Sequence, residues 1–362
     1  MISIEGVEGM AGSVTAKEVA LRAAVSVGTV SRVFNNHTNV SDEIRQRVLR
    51  VAADLGYLRP GGQPVIAAGR TLKEVCFLYC HKGETLPLTL NPYWAPIFYG
   101  VEREARFANI KLIYRTLDEE GQSARQLTAF LLEMRPGGLL LVGPAALETV
   151  KAFQATGLPL VLVDQYLPDL LPPVDAVLGD NFQGARLAME YLFSLGHRRI
   201  AFLGGPTLSG PRPSYDIYSI QQRWASYCMA LLDHGLPVDY SLVESGDLTT
   251  EGSYAACQRL LARSVEFSAL FCADDITAIG ALKALREAGR SVPEDVSLIG
   301  FGDIELSQHV TPPLTTIHLS ADQLGATALR TLMARVINPD TSCVTHLLGV
   351  TLVKRGSVAV HG

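Results

Sequence analysis

The sequence predicts an N-terminal all-α helix-turn-helix domain followed by an α/β body of two doubly wound parallel-sheet lobes. Three observations carry this. Residues 13–59 hold three short amphipathic stretches, each opened by a hydroxyl-bearing cap residue. From Leu72 onward, short apolar runs alternate with amphipathic helical ones, the pattern of parallel strands covered by crossover helices. The charge also breaks between the blocks. Ser13 to Arg70 carries eight basic residues (Lys17, Arg22, Arg32, Arg45, Arg47, Arg50, Arg59, Arg70) against four acidic ones (Glu18, Asp42, Glu43, Asp54), net +4, whereas residues 71–362 carry 23 and 30, net -7.

The first helix opens at Thr15, which with Glu18 forms a capping box, and continues through Val19, Ala20 and Ala23. After Ala24 and Val25, Ser26 caps a second short helix carrying Val30, Val33 and Phe34. Ser41 caps a third, with Asp42 and Glu43 in its first turn, a buried face of Ile44, Val48, Leu49, Ala52 and Leu55, and Gly56 as its stop. Three short helices with a tight link between the first two match a helix-turn-helix. The Pro/Gly-rich run from Pro60 to Gly69 is the linker. Strands are predicted at Val75–Cys80, Ile110–Tyr114, Gly138–Val142, Leu160–Val163, Arg199–Leu203, Ala269–Cys272 and Val296–Gly300. Between them fall helical segments at Phe98–Ala108, Ser123–Met134, Phe182–Leu195, Arg223–His234, Thr250–Ala262 and Thr277–Ala288. About 290 residues exceed one sheet, hence two lobes.

Composition removes several classes. Of 362 residues, 48% are hydrophobic and 19% charged, which excludes wholesale disorder. The longest stretch without a formal charge, Thr85 to Val101, spans 17 residues and contains Pro87, Pro92 and Pro96, too short and interrupted to cross a bilayer. The first dozen residues carry Glu5 and Glu8 and lack the basic head and apolar body of a secretory signal, so a cytoplasmic protein is expected. Six cysteines with no CxxC pair read as buried thiols in a reducing compartment. The whole-chain charge of -5 argues against a nucleic-acid partner, but it averages a basic head and an acidic body.

A helix-turn-helix presents the N-terminal side chains of its second helix to base edges in the major groove. Those positions are Val27, Gly28 and Thr29, with Ser31 and Arg32 a turn later. Arg32 is the best base reader, because a guanidinium pairs with guanine O6 and N7 in two bonds. Thr15, Ser26, Thr29 and Ser31 are candidates for phosphate contacts. On three short helices alone, a small helical cap with solvated arginines explains the head equally well.

The run Val14-Thr-Ala-Lys-Glu-Val-Ala20, then Val25-Ser-Val-Gly-Thr-Val-Ser-Arg-Val-Phe-Asn35, Val40-Ser41, Arg45, Val48, Ala52 and Leu55-Gly-Tyr57 resembles the DNA-binding head of the lactose-repressor (LacI/GalR) family of transcriptional regulators. The body resembles the same family at Asn91-Pro-Tyr-Trp94, Gly179-Asp-Asn181 with Gly184-Ala185, Leu195-Gly-His-Arg-Arg-Ile-Ala-Phe-Leu203, Cys272-Ala-Asp-Asp-Ile-Thr-Ala-Ile-Gly280, Val296-Ser-Leu-Ile-Gly-Phe-Gly-Asp303 and Pro312-Pro-Leu-Thr-Thr-Ile317. The resemblance covers roughly Val14 to Ser357. It implies a periplasmic-binding-protein-like body that forms a homodimer and holds a small effector, a sugar or sugar-like metabolite, between its lobes. The head then grips half of a palindromic operator in double-stranded DNA, and the protein is a repressor with no cofactor, no metal and no membrane attachment. Asn35, Tyr57 and Ile66 join the DNA-binding set by the same resemblance. The implied organisation is a disordered extension at 1–12, the DNA-binding domain at 13–59, a hinge linker at 60–71 and an effector-binding and dimerisation domain at 72–357. Lobe one is placed at about 72–163 and 318–338, lobe two at about 164–317 and 345–357.

This chain departs from the family in three places. Ala24 stands where a glycine is usual in the turn; a β-carbon in a left-handed turn costs on the order of 1 kcal/mol. Val27 and Gly28 remove hydrogen-bonded readout at two recognition positions, although Val27 can meet a thymine methyl. The family usually folds a hinge helix on DNA and inserts a leucine wedge into the minor groove, where this chain has Ile66. Gly61, Gly62 and Pro64 oppose that helix, the proline by roughly 3 kcal/mol in an interior position. Either the helix starts at about Gln63 with Pro64 in its first turn, or the hinge stays extended.

For the cleft, the resemblance places Tyr93 and Trp94 on an aromatic wall and Arg223, in Arg223-Trp-Ala-Ser-Tyr227, as the polar anchor. Asp164 closes the Leu160–Val163 strand near the lobe crossover, and Asp274 replaces the usual asparagine before Asp275. The competing reading makes Trp94 core and Arg223 a surface salt bridge. Gly302 occupies a position that is frequently aspartate, leaving Asp303, and Leu248 stands where an aromatic often follows Gly-Asp. Both changes weaken a sugar-specific reading, with Asp274 as a replacement carboxylate. Leu208–Tyr218 and the residues around His81–Leu90 are expected to reshape the mouth.

Among rival functions, Asp274-Asp275 suggests acid/base chemistry, but adjacent carboxylates usually cap a helix. No P-loop, no GxGxxG after a strand, no HExxH and no GxSxG is present, and the eight histidines lack metal spacing. A transport-type binding protein of the same fold is opposed by the missing signal and the basic head. A family member that binds effector but little DNA is kept open by Gly28 and the hinge. The hinge composition predicts weak coupling between effector and DNA. Pro64→Ala, assayed for operator affinity with and without effector, is expected to strengthen that coupling; unchanged values overturn the idea.

Overall fold

The structure, a computed structural model, describes residues 15–34, 40–55, 72–81, 88–118, 129, 131, 133–134, 136–205 and 217–362. The expectations for the extension 1–12, for Asn35, Tyr57, Ile66 and the hinge, and for 82–87 and 206–216 lie outside the described residues, as does most of the expected helix at 123–134.

In the head, α1 (Ala16–Arg22), α2 (Val27–Phe34) and α3 (Asp42–Leu55) enclose a small core of Val19, Ala20, Ala23, Val30, Val33, Val40, Val48 and Ala52. The Thr15 cap closes as expected: the Glu18 amide donates to Thr15 Oγ1 at 3.4 Å, and the Thr15 amide donates back to Glu18 Oε2 at 2.6 Å. Ser26 Oγ accepts the Thr29 amide at 3.0 Å, and Ser41 Oγ accepts the Ile44 amide at 3.4 Å. Ala24 takes φ +51, so the turn is left-handed although it lacks the usual glycine.

The body is built on two six-stranded sheets. Its elements run β1 (Glu74–His81), α4 (Trp94–Phe107), β2 (Lys111–Asp118), β3 (Gly138–Val142), α5 (Leu147–Gln154), β4 (Leu160–Val163) and β5 (Asp175–Gly179). They continue through α6 (Asn181–Ser194), β6 (Ile200–Gly205), α7 (Tyr218–Asp233), β7 (Val243–Ser245), α8 (Thr250–Ala262), β8 (Ala269–Cys272), α9 (Asp275–Glu287) and β9 (Ser297–Gly302). The last are β10 (Thr315–His318), α10 (Ala321–Ile337), β11 (Thr345–Leu348) and β12 (Thr351–Val353). Strand order is β11-β5-β4-β3-β1-β2 in the first sheet and β12-β10-β9-β8-β6-β7 in the second. Every pairing is parallel except β10 with β12. The central strands are buried on both faces, which is why they read as continuous apolar runs.

The lobe limits expected from the sequence need correction. β5 lies beyond 164 yet continues the ladder of β4, and β11 lies beyond 345 yet pairs with β5; both belong to the first sheet. The crossovers therefore fall after β5, after β10 and between β11 and β12. The physical reason is a bidentate ion pair: Arg335 on α10 donates from Nε and Nη2 to the Asp175 carboxylate at 2.7 and 2.8 Å. Asp175 also accepts the Val344 amide at 2.8 Å, so one buried carboxylate ties β5, α10 and the start of β11 together.

The two helices over lobe one cross at glycine. A β-carbon on Gly325 of α10 would lie 2.0 Å from the Ile97 carbonyl oxygen of α4, and one on Gly100 of α4 would lie 1.9 Å from that of Asp322. These are backbone atoms, so nothing yields cheaply. Gly325→Ala is expected to cost at least the roughly 1–3 kcal/mol typical of overpacking, read as a lower urea midpoint for the body. A midpoint equal to that of the parent would show that the crossing has slack.

Candidate effector cleft and DNA-reading helix

The recognition positions on α2 line up along one exposed side. Val27 is 45% exposed, and Gly28, Ser31 and Arg32 are exposed while Val30 and Val33 fill the core. Arg32 lies back along its helix, its Nε donating to the Gly28 carbonyl at 3.2 Å. A β-carbon at Gly28 would meet nothing closer than Ser26 Oγ at 3.6 Å, so neither packing nor backbone demands glycine there. The Thr15, Ser26 and Thr29 hydroxyls, expected at phosphates, are engaged in the helix caps, with Ser26 Oγ and Thr29 Oγ1 2.9 Å apart. They thus fix the helix ends that approach DNA.

In the body, ligands of α/β sheets bind beyond the carboxyl ends of the strands. Three non-glycine residues with positive φ sit beyond strand ends: Asp164 (φ +55) after β4, Leu248 (φ +62) after β7 and Asp303 (φ +55) after β9. Backbone strain of about 1–3 kcal/mol each persists where the surroundings over-determine it, which is typical of ligand sites.

Arg223, five residues into α7 from Tyr218, is 3% exposed, which removes the surface salt-bridge reading. Its Nε and Nη2 donate to Asn181 Oδ1 at 2.9 and 2.8 Å, and Nη1 donates to the Ala273 carbonyl at 2.6 Å. The guanidinium carbon lies 3.8 Å from the centroid of the Phe301 ring, a cation–π contact. Asn181 and Phe301 were not singled out as site residues; the only signal was the Gly179-Asp-Asn181 and Gly-Phe motifs of the resemblance.

Asp164 faces this cation from lobe one. It is 3% exposed. Burial pushes its carboxyl up to about 6, against the pull of Arg223. The buried Tyr93 hydroxyl lies within hydrogen-bonding reach of that carboxylate, and burial together with the Asp164 charge raises it well above the usual phenol range. Tyr93 responds electrostatically to Arg223 and Asp274 as well, so residues of both lobes meet in one field. Asp274 caps α9, accepting the Thr277 amide at 2.7 Å, and burial raises its carboxyl. Its neighbour Asp275 accepts the Ile304 amide at 2.9 Å and the Thr316 hydroxyl, a brace between α9, β10 and the loop after β9.

The aromatic wall is present on lobe one. Tyr93 and Trp94 pack edge to face at 4.8 Å, and Trp94 also meets Tyr79 at 5.6 Å. Trp94 is half-buried against the lobe core, so it serves the core on one side. Tyr166 and Tyr218, which sequence reasoning missed, meet from opposite lobes at 5.3 Å. Two expected contacts change role. Asp303 is no free ligand group: its carboxylate accepts Arg355 Nη2 at 2.6 Å and lies 2.9 Å from His318 Nδ1. Leu248 packs half-buried on the lobe-two core and offers no ring face. Gly302 has φ +123, so an aspartate there would be strained. Among the described residues no group of histidine, cysteine and acidic side chains is placed to hold a metal, and no helix is long and apolar enough to cross a membrane.

The family model for bacterial regulatory proteins of the lacI family matches residues 15–60, and one for a periplasmic binding protein-like domain matches residues 189–358. The chain is 31% identical over 344 residues to the ribose operon repressor of Haemophilus influenzae, covering 95% of this chain and 98% of that protein. The chain belongs to the lacI family of bacterial regulatory proteins. It is a DNA-binding transcriptional regulator of that family, with the expected two-lobed body behind a helix-turn-helix head. It is also 30% identical to the transcriptional repressor CytR of Escherichia coli, across 95% of this chain and 96% of that one. Among solved structures, a transcriptional regulator CelR–cellobiose complex superposes with a TM-score of 0.71 at 31% identity, covering 95% of this chain and 99% of that one. The lac repressor dimer bound to operator and the anti-inducer ONPF superposes at 0.68 and 26% identity, covering 96% and 100%.

The raised Asp164 carboxyl has a stability consequence. Its folded value of about 6 exceeds the ordinary 3.8, so the folded state holds the proton more tightly and the carboxylate destabilises the fold above pH 6. That cost, on the order of 3 kcal/mol for two units, fades as pH falls from 6 to 4. Asp164→Asn is therefore expected to raise the urea midpoint at pH 7.5 and to lose most of that gain at pH 4.5. An equal effect at both pH values would contradict it.

Proposed function

We propose that the chain is a dimeric, cytoplasmic transcriptional repressor whose operator affinity is set by a sugar or sugar-like effector held between its lobes. The observation that carries this is the buried Arg223, whose charge is felt by Asp164 of one lobe and Asp274 of the other. A ligand hydroxyl both donates and accepts, so it can satisfy Asp164 and the spare N–H groups of Arg223 together. Tyr93 and Trp94 flank it, while Leu248 and Asp303 shape and brace the floor. Such a ligand favours one arrangement of the lobes, and its differential affinity for that arrangement is the free energy available for regulation. The arrangement reaches the head through β1, which follows the linker directly.

On DNA, Arg32 reads a base edge and Val27 meets a thymine methyl, while Gly28 reads nothing. Thr15, Ser26, Thr29, Ser31 and Asn35 hold register, with Tyr57 and Ile66 completing the contact in the manner of the family. The protein's work is binding and not catalysis: Asp274 and Asp275 are spent on the α9 cap and its brace. Footprinting on the region upstream of the protein's own gene tests DNA binding. Arg32→Ala is expected to weaken that site about 10- to 100-fold, the loss of one bidentate base contact, at unchanged thermal stability. Parent-like affinity would remove Arg32 from base reading, and no footprint for the parent would leave an effector binder with weakened DNA binding.

A further inference from the structure

Two rings bridge the lobes away from the chain crossovers. Tyr166 stands in the connection between β4 and β5 of lobe one, and Tyr218 is the first residue of α7 in lobe two. Their centroids lie 5.3 Å apart with the planes tilted by 54°, within the range where aromatic pairs attract. Neither residue belongs to a segment that passes from one lobe to the other, so the contact is a direct bridge between them. Burial lifts the Tyr218 phenol above its ordinary range, and the nearby Tyr166 phenol lifts it further.

Each ring is mounted on a rigid part of its own lobe. Tyr166 packs with Leu167 against the lobe-one core. The two residues before it are pinned. The buried Gln165 side chain donates from Nε2 to the Ala145 carbonyl at 3.1 Å, and the Asp164 backbone amide donates to the Val177 carbonyl at 2.9 Å. On the other side Ile217 packs on the lobe-two core, Ser219 and Ile220 are buried, and the same helix carries the buried Arg223 and Trp224. Rings on rigid mounts have little freedom to follow one another, so a rotation of one lobe on the other parts them. We infer that Tyr166 and Tyr218 form an aromatic latch that holds the two lobes in the arrangement seen here by protein contact alone. A ligand that enters or leaves the cleft works against this hold. The ratio of closed to open lobes, which its differential affinity has to shift, is then set in part by two side chains. The connection to operator affinity rests on the regulatory reading above; the latch itself does not.

The chain has two tryptophans, one in each lobe. Trp224 is 5% exposed in the lobe-two core, whereas Trp94 is half-buried on the aromatic wall of lobe one, so iodide quenching of the full chain's fluorescence reads access to the cleft. Tyr166→Ala and Tyr218→Ala are each expected to raise the quenching constant, and the double variant no further than the stronger single one. The closed-to-open ratio falls about 2- to 10-fold, the worth of one aromatic pair. Charge tests the contact without ring packing: Tyr166→Glu/Tyr218→Glu is expected to open the lobes, and Tyr166→Glu/Tyr218→Lys to return quenching to the parent value. A side chain that merely supports its own lobe gives the two charge pairs the same value. Parent-like quenching in both alanine variants, single effects that add, or equal values for the two charge pairs overturns the latch, and the charge pairs decide where an alanine variant does not fold. No DNA or effector enters these measurements, so their failure leaves the footprint standing, and a missing footprint leaves the latch standing.

Discussion

A guanidinium taken out of water must be compensated where it sits, and the body is organised around that requirement. Removing one partner of such a charge costs several kcal/mol, whereas a fully bonded one is close to neutral. Arg223 meets it with fixed groups from three places: the first residue of α6, the carbonyl after β8 and the ring at the end of β9. Each lies at the carboxyl edge of the second sheet, so the cation anchors the floor before any ligand arrives. What it lacks is a bonded partner from the first lobe. Asp164 faces it electrostatically, with its carboxylate beside the Tyr93 hydroxyl of its own lobe. Lobe two is self-sufficient around its cation, and a bond to it from the other lobe is left for a ligand to complete.

The braces behind the floor follow the same division. Asp275 holds β10 and the loop after β9, and Asp303 holds Arg355 and His318. His318 ends β10 at one crossover between lobes, and Arg355 follows β12 just past another. Carboxylates that stand close to the ligand position in sequence are thus committed to keeping the crossovers attached to lobe two.

Much of the fold was legible because buried parallel strands announce themselves as unbroken apolar runs; Gly138–Val142, Leu160–Val163 and Ala269–Cys272 stand at the limits read from sequence. The strands that escaped are those whose burial depends on partners remote in sequence. β5 opens with Asp175, a residue that reads as loop until Arg335 arrives 160 residues later. β7 is three residues long and keeps Glu244 buried only because Arg259 and Arg263 reach it from α8 and its end. β11 is an exposed edge with no apolar face to betray it. In the site, Arg223 and Asp164 came from resemblance, since no local pattern distinguishes a buried arginine from a solvated one. Asp303 was misread for the converse reason: its partners, Arg355 and His318, are invisible in a local window.

The charge break in the sequence acquires a physical meaning from this arrangement. On the head Arg22, Arg32, Arg47 and Arg50 are exposed, where counterion release makes DNA contact strong, salt-dependent and largely indifferent to sequence. The body carries the opposite sign, and Arg223 is its one fully buried arginine among the described residues. The excess of positive charge thus lies in Ser13–Arg70 at one end of the chain, and phosphate attraction of that kind carries no sequence information. In the proposed reading, with Gly28 silent and Val27 limited to a methyl contact, Arg32 is the side chain left to pair with a base edge, as Arg223 is the cation left to anchor the cleft. They differ in solvation: Arg32 is exposed to water on its helix, while Arg223 is buried in the fold.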